Sequence, residues 1–167
     1  TATIDGDVAD SRTLTLTAGP GAITFNGSVG NTKALASIDA SACNGTTTFN
    51  ADVVKTSGLQ SYGGDLVVAG NRTVAVNSAA FKLTGTITSE VDATTGLTLT
   101  ATGTVNLGNT VAETIGTSSN QLLNFTVNST PALTIDNAIY TSKAVSLTSS
   151  SDAVTLDAAI TTSDSAG

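Results

Sequence analysis

Ala22-Ile23-Thr24-Phe25-Asn26-Gly27-Ser28-Val29 is the phrase whose reading decides the fold. It is a short strand with apolar residues on one side and Thr on the other, then an Asn-Gly turn, then an apolar residue opening the next flat piece. The phrase comes back as Thr47-Thr48-Phe49-Asn50-Ala51-Asp52-Val53, as Leu133-Thr134-Ile135-Asp136-Asn137-Ala138-Ile139 and as Val154-Thr155-Leu156-Asp157-Ala158-Ala159-Ile160. Ala2-Thr3-Ile4-Asp5-Gly6-Asp7-Val8 is an early copy. Looser ones are Lys82-Leu83-Thr84-Gly85-Thr86-Ile87 and Val105-Asn106-Leu107-Gly108-Asn109-Thr110-Val111.

Aligned on the residue before the turn, the copies fall at Ile4, Phe25, Phe49, Leu83, Leu107, Ile135 and Leu156, with gaps of 21, 24, 34, 24, 28 and 21. A strand-turn-strand unit recurring at such a period cannot bury its apolar side alone. Stacking the units buries it, which is the signature of a solenoid. Several units hold two alternating runs: Leu14 and Leu16 precede Ile23 and Phe25, Leu97 and Leu99 precede Val105 and Leu107, and Val145 and Leu147 precede Val154 and Leu156. The pattern therefore predicts an all-β chain folded as a right-handed parallel β-helix, one solenoid over residues 1–167 with six to seven irregular turns. The polar stretch 112–121 reads as an inserted loop and as the one place where a helix could form. An antiparallel β-sandwich is the alternative, since it too has short strands with frequent turns. The recurrence of an Asx residue at one place in the phrase (Asp5, Asn26, Asn50, Asp136, Asp157) favours the solenoid, because a sandwich needs alternation but not repetition.

The composition agrees with a thin aliphatic core. Of 167 residues, 50 are Thr or Ser, while Phe numbers four, Tyr two, and Trp, Met and His none. Disorder is the competing reading of so few aromatics. Short alternating runs of Val, Ile, Leu and Thr argue against it, because β-branched residues suit pleated, half-buried surfaces. The net charge of −7 and six scattered basic residues disfavour nucleic acid and anionic membrane as partners. No run approaches the ~18 apolar residues of a membrane helix. Low charge with abundant Thr, Ser, Asn and Gly points to a secreted or cell-surface location. The first residue is not Met, the chain opens on a repeat phrase, and it stops at Ser163–Gly167, just after another phrase has started a turn. The expectation is either a segment of a longer repeat protein or a subunit that joins its neighbours end to end.

The stretches AITFNGSVGNTKALASI, TTTFNADVVKTSGLQSYGGDLVVAG and LTLTATGTVNLG resemble the repeats of filamentous-haemagglutinin-type surface proteins, large bacterial adhesins often exported by two-partner secretion. The resemblance covers most of the chain, best at residues 13–70 and 97–160. It implies a right-handed parallel β-helix, export from the cell, and a role in adhesion or in a surface filament. It brings over no catalytic residues.

The residues themselves offer little chemistry. Without His, the usual nucleophilic triads and most zinc sites are excluded. Cys43 is the only cysteine; it reads as a small buried residue, with an intermolecular link as the alternative. Asp5, Asp7 and Asp10 cluster and could offer oxygens to a hard cation, but read better as a solvated turn. A carbohydrate-active enzyme would need two carboxylates across a cleft, and the candidates are Glu90 with Asp92 and Asp136 with Asp157. The Asx column reads more simply as turn-forming residues stacked in ladders. Thr-x-Thr runs at residues 13–17, 84–88 and 98–104 raise an ice- or glycan-binding face, which the unequal unit lengths disfavour. Five Asn-x-Ser/Thr sequons, at Asn26, Asn44, Asn71, Asn124 and Asn128, are candidate glycosylation sites. The expectation is thus a structural or adhesive extracellular rod, not an enzyme, with no catalytic, cofactor or metal residues. Its partners would be further copies of itself or surface glycans. Phe25 and Phe49 are expected to point inward and stack on adjacent turns.

Overall fold

A computed structural model describes residues 2–70, 72–108 and 113–163. Among them are nineteen short β-strands and no helix, and every strand pairing is parallel. The antiparallel sandwich is thereby ruled out, and the fold is a parallel β-solenoid.

Each turn contributes one segment to each of three faces. Face I is the sheet β5 (Val53–Lys55), β8 (Thr73–Ser78), β11 (Gly96–Ala101), β14 (Phe125–Ser129) and β17 (Val145–Ser149). Single bridges from Ile4 to Val29 and from Val29 to Val54 extend it. Face II carries β1 (Thr13–Thr15), β3 (Ser37–Ala40), β6 (Leu59–Tyr62), β9 (Ala80–Leu83) and β12 (Val105–Leu107), and beyond them a separate pair, β15 (Leu133–Ile135) and β18 (Val154–Leu156). Face III is one seven-stranded sheet: β2 (Ile23–Phe25), β4 (Thr47–Phe49), β7 (Leu66–Val68), β10 (Ile87–Ser89), β13 (Thr114–Ile115), β16 (Ala138–Thr141) and β19 (Ile160–Thr162). Seven strands on this face mean seven turns.

Alternation in the sequence becomes alternation across the wall, because successive side chains in a strand point to opposite sides. The inward columns are aliphatic. Val29, Val54, Val76, Leu99 and Val127 stack in register on face I, and Leu66, Ile87, Ile115 and Ile139 on face III; all are buried. Burying one such side chain is worth about 1.5–3 kcal/mol, so a narrow core still accumulates stability with each added turn. Phe25 and Phe49 pair in register, as expected, with ring centroids 5.7 Å apart. The ladder continues to Tyr62 at 5.4 Å and on to Phe81 at 5.6 Å.

One buried position on face II is polar. Gln60 takes the place of an aliphatic residue between Ile38 and Phe81. Its amide donates to the carbonyls of Val54 (3.2 Å) and Asn77 (3.1 Å), and its Oε1 accepts from the Tyr62 hydroxyl at 3.0 Å. With both donors and the acceptor engaged, the group escapes the cost of an unpaired buried amide. Burial pushes the Tyr62 phenol far above its ordinary pKa, so it stays a neutral donor.

The corners need glycine where adjacent turns nearly touch. A Cβ on Gly64 would overlap the carbonyl oxygen of Gly45 one turn below, and a Cβ on Gly45 would overlap that of Gly21. The chain passes from face II to face III here, and only a hydrogen atom fits between the stacked backbones.

Two expectations are corrected. The seven phrase copies are not equivalent: Phe25 and Phe49 lie on face III, Leu83, Leu107, Ile135 and Leu156 on face II, and Ile4 on face I. Within each face the alignment holds, since Leu83 pairs with Leu107 and Ile135 with Leu156. The gap of 34 marks the place where the phrase passes from face III to face II. In the stretch read as an inserted loop, Thr114–Ile115 is a strand of face III, and the turn-rich excursion follows it. Ala112, and the end of the copy that begins at Val105, lie outside the described residues.

Candidate functional site

Face II carries two hollows of the outer surface that share Lys82. The first, about 380 Å³, lies over the early turns and is bordered by Thr13, Ser37, Asp39, Leu59, Ser61 and Lys82. The second, about 260 Å³, lies over the later turns and is bordered by Lys82, Thr84, Asn106, Leu107, Thr134 and Asp136. Register explains why these distant residues meet. Thr15, Asp39, Ser61, Lys82 and Asn106 form one outward column, each opposite the next. Thr134 and Thr155 form its counterpart on the separate pair.

The column is polar and mixed in charge. The Ser41 hydroxyl and then the Ser41 amide hold the Asp39 carboxyl below its ordinary pKa, so it is a fixed anion at one end. Among the described residues Lys82 makes no ion pair, the two pairs present being Arg12–Asp7 and Arg72–Asp52, each 2.6 Å long. The second of these pairs borders a smaller hollow of about 200 Å³ beside Asn26, Ser28 and Asn50.

The acidic cluster at the start of the chain resolves into separate contacts. Asp7 takes a two-pronged hydrogen bond from Arg12, at 2.6 and 2.7 Å, which holds its carboxyl well below the usual carboxylate range with help from the Val8 amide. Asp5 instead accepts from the main-chain amides of Thr32 and Lys33. Among the described residues no three potential ligands come together to hold a metal ion. The Asx column divides the same way. Asn50 donates to Asn26 at 3.4 Å, and Asp136 and Asp157 each follow one member of the Ile135–Leu156 pair, but Asp5 stacks on neither group. Asp92 accepts from the Gln121 amide at 2.7 Å, which ties the acidic turn to the next one rather than to Glu90.

Threonine matches between turns are short: Thr98 meets Thr126 and Thr24 meets Thr48, but the next turn offers Ser146 and Val67. Thr98 and Thr100 lie between Ala75 and Asn77 on one side and Thr126 and Asn128 on the other. Thr13 and Thr15 face Ser37 and Asp39, and Thr88 faces Val67. Of the sequons, Asn26, Asn44 and Asn128 are exposed, whereas Asn124 is half-buried and accepts from the Ala144 amide at 3.3 Å. Asn71 lies outside the described residues.

Cys43 is buried and unpaired. Its Sγ accepts from the Ala18 amide and donates to the Leu16 carbonyl, both at 3.2 Å, so the thiol stitches two turns together. The native chain is expected to resist thiol reagents such as Ellman's reagent and to react fully only on unfolding. Rapid labelling of the native chain would contradict this placement.

The hollows on face II are what the sequence reading missed. Its signal lay in the outward residues of successive copies, but only register shows which copies are neighbours. In comparison with known proteins, no family model, no curated protein and no solved structure matches this chain.

Proposed function

We propose that this chain is a structural and adhesive element of an extracellular rod, without catalytic activity, in which turns stack beyond those described. The observation that carries the reading is the state of the two outermost turns. Val154, Leu156 and Ile160 stand 41%, 38% and 39% exposed, yet each pairs in register with a fully buried residue: Leu133, Ile135 and Ile139. They point into the core column and, among the described residues, lack only a neighbour above. Ile4, at 43%, stands in the same relation to buried Val29 at the opposite side. Exposed apolar positions with free strand edges are templates for further pairing. A next turn, from the same longer chain or from another copy, would bury both. Outer faces of Thr, Ser and Asn with little charge suit a durable surface rod.

Light scattering and electron microscopy of the purified chain test this. Concentration-dependent elongated particles are expected, and the Leu156→Lys variant should abolish them while leaving the β-sheet circular dichroism unchanged. The rod reading fails if the chain stays a monomer at high concentration and its natural product is no longer than this segment. Cleavage of a polysaccharide by the chain, lost on Asp136→Asn, would overturn the non-catalytic reading.

A further inference from the structure

The face II sheet is interrupted once, between β12 and β15. On either side of these strands the turns are laddered at the usual step: β11 with β14 on face I, β13 with β16 on face III. The turns are therefore one strand spacing apart, roughly 4.8 Å, and no extra strand fits between them. Yet among the described residues β12 and β15 are not paired with each other. The Phe81 amide donates to the Thr104 carbonyl, so Thr104 and Asn106 turn their main-chain groups toward β9. Because N–H and C=O alternate in direction along a strand, Val105 and Leu107 turn theirs toward β15. The Leu133 amide donates to the Ala153 carbonyl, so Thr134 turns its own toward β12. Donors and acceptors thus line the break from both sides, and the later hollow lies over it.

We propose that this break is the principal subsite for a neutral, linear polysaccharide lying along face II. The proposal deepens the adhesive part of the function above by naming its ligand class. The chemistry of the lining selects hydroxyl groups. Lys82 offers only donors, Asp136 only acceptors, and Asn106 both, beside the hydroxyls of Thr84, Thr104 and Thr134. A polyanion would gain Lys82 but meet Asp136 and a net charge of −7; a cation would gain Asp136 but meet the Lys82 ammonium inside the hollow. Sugar hydroxyls donate and accept at once and satisfy the whole set. Val105 and Leu107 also border the hollow, but their side chains belong to the buried core, which leaves the polar side chains to select the ligand. From Lys82 the earlier hollow continues past Ser61 and Asp39 to Thr13, so one chain can span several turns.

The test is a titration of the ¹⁵N-labelled chain with cellohexaose, mannohexaose and xylohexaose, alongside hexagalacturonate and a Thr-Val hexapeptide. At least one neutral hexasaccharide should shift the amides of β9, β12 and β15. Lys82→Ala and Asn106→Ala should each weaken it by about tenfold, with the thermal midpoint unchanged because both side chains are exposed. The proposal is overturned if no neutral hexasaccharide shifts these amides, if binding survives both substitutions, or if only hexagalacturonate or the peptide binds. Beads coated with the chain separate this from the adhesive reading. Beads that do not hold to a polysaccharide surface, while the hexasaccharide still fills the break, remove adhesion and leave the site. Beads that hold equally well when coated with the double variant remove the site and leave adhesion.

Discussion

Replacing Phe49 with alanine is expected to lower the stability of the fold by roughly 3–5 kcal/mol, the range for deleting a buried Phe ring. The ring has no solvent exposure and stands between two aromatic neighbours, Phe25 and Tyr62. Edge-on and tilted pairs of this kind add about 0.5–1.5 kcal/mol each beyond the area they bury. The hole cannot close easily, because the stacked backbones around it are laddered to the turns above and below. Phe25→Ala should cost less, since its ring is slightly exposed and has only one aromatic neighbour, Phe49. Denaturant midpoints of the two variants check both statements, and a Phe49→Ala midpoint equal to that of the parent would refute the inward register.

The second large effect is expected at Gly64. Gly64→Ala places a methyl group against the Gly45 carbonyl oxygen, with the Asn44 carbonyl carbon 2.9 Å away. The obstruction is backbone, not a flexible side chain, so two turns must move apart. Overpacking of this kind costs typically 1–3 kcal/mol, and the rigid stack puts Gly64 at the upper end, about 3 kcal/mol. Gly19→Ala is the control. Gly19 has a positive φ of 54° but nothing within 4 Å of the added atom, so only conformational strain remains, about 1–2 kcal/mol. Because each turn of a solenoid contacts only its neighbours, hydrogen exchange in Gly64→Ala should quicken first in β4 and β7, which flank this corner. Uniform loss of protection along all seven turns would contradict that picture.

The stacking, the inward Phe pair and the near absence of helix were legible because each rests on local alternation and on a phrase that repeats. The three-faced cross-section was not. All faces follow one rule, apolar inward and Thr, Ser or Asn outward, so Phe49 and Leu83 look alike although they occupy different walls. Gln60 was invisible for the opposite reason: in the sequence it is one polar residue among many, and only its placement between Ile38 and Phe81 reveals it as buried. The break in face II depends on main-chain directions in β12 and β15, which side-chain identities do not encode. Lys82, Asn106 and Asp136 belong to different turns, and no linear spacing brings them together.

Parallel pairing on all three faces makes the solenoid a vector. An antiparallel sheet can meet a copy of itself through a two-fold axis, one surface against its own duplicate. Here the strand edges of β17, β18 and β19 head one way, while those around Ile4, β1 and β2 head the other, and the two surfaces are not interchangeable. A joint that continues the parallel pairing from one copy to the next is consequently head-to-tail, and a head-to-tail joint closes into a ring or continues as a filament. Such a filament would have a leading and a trailing tip with different chemistry and different growth rates. A molecule that plugs one tip would leave the other free to elongate.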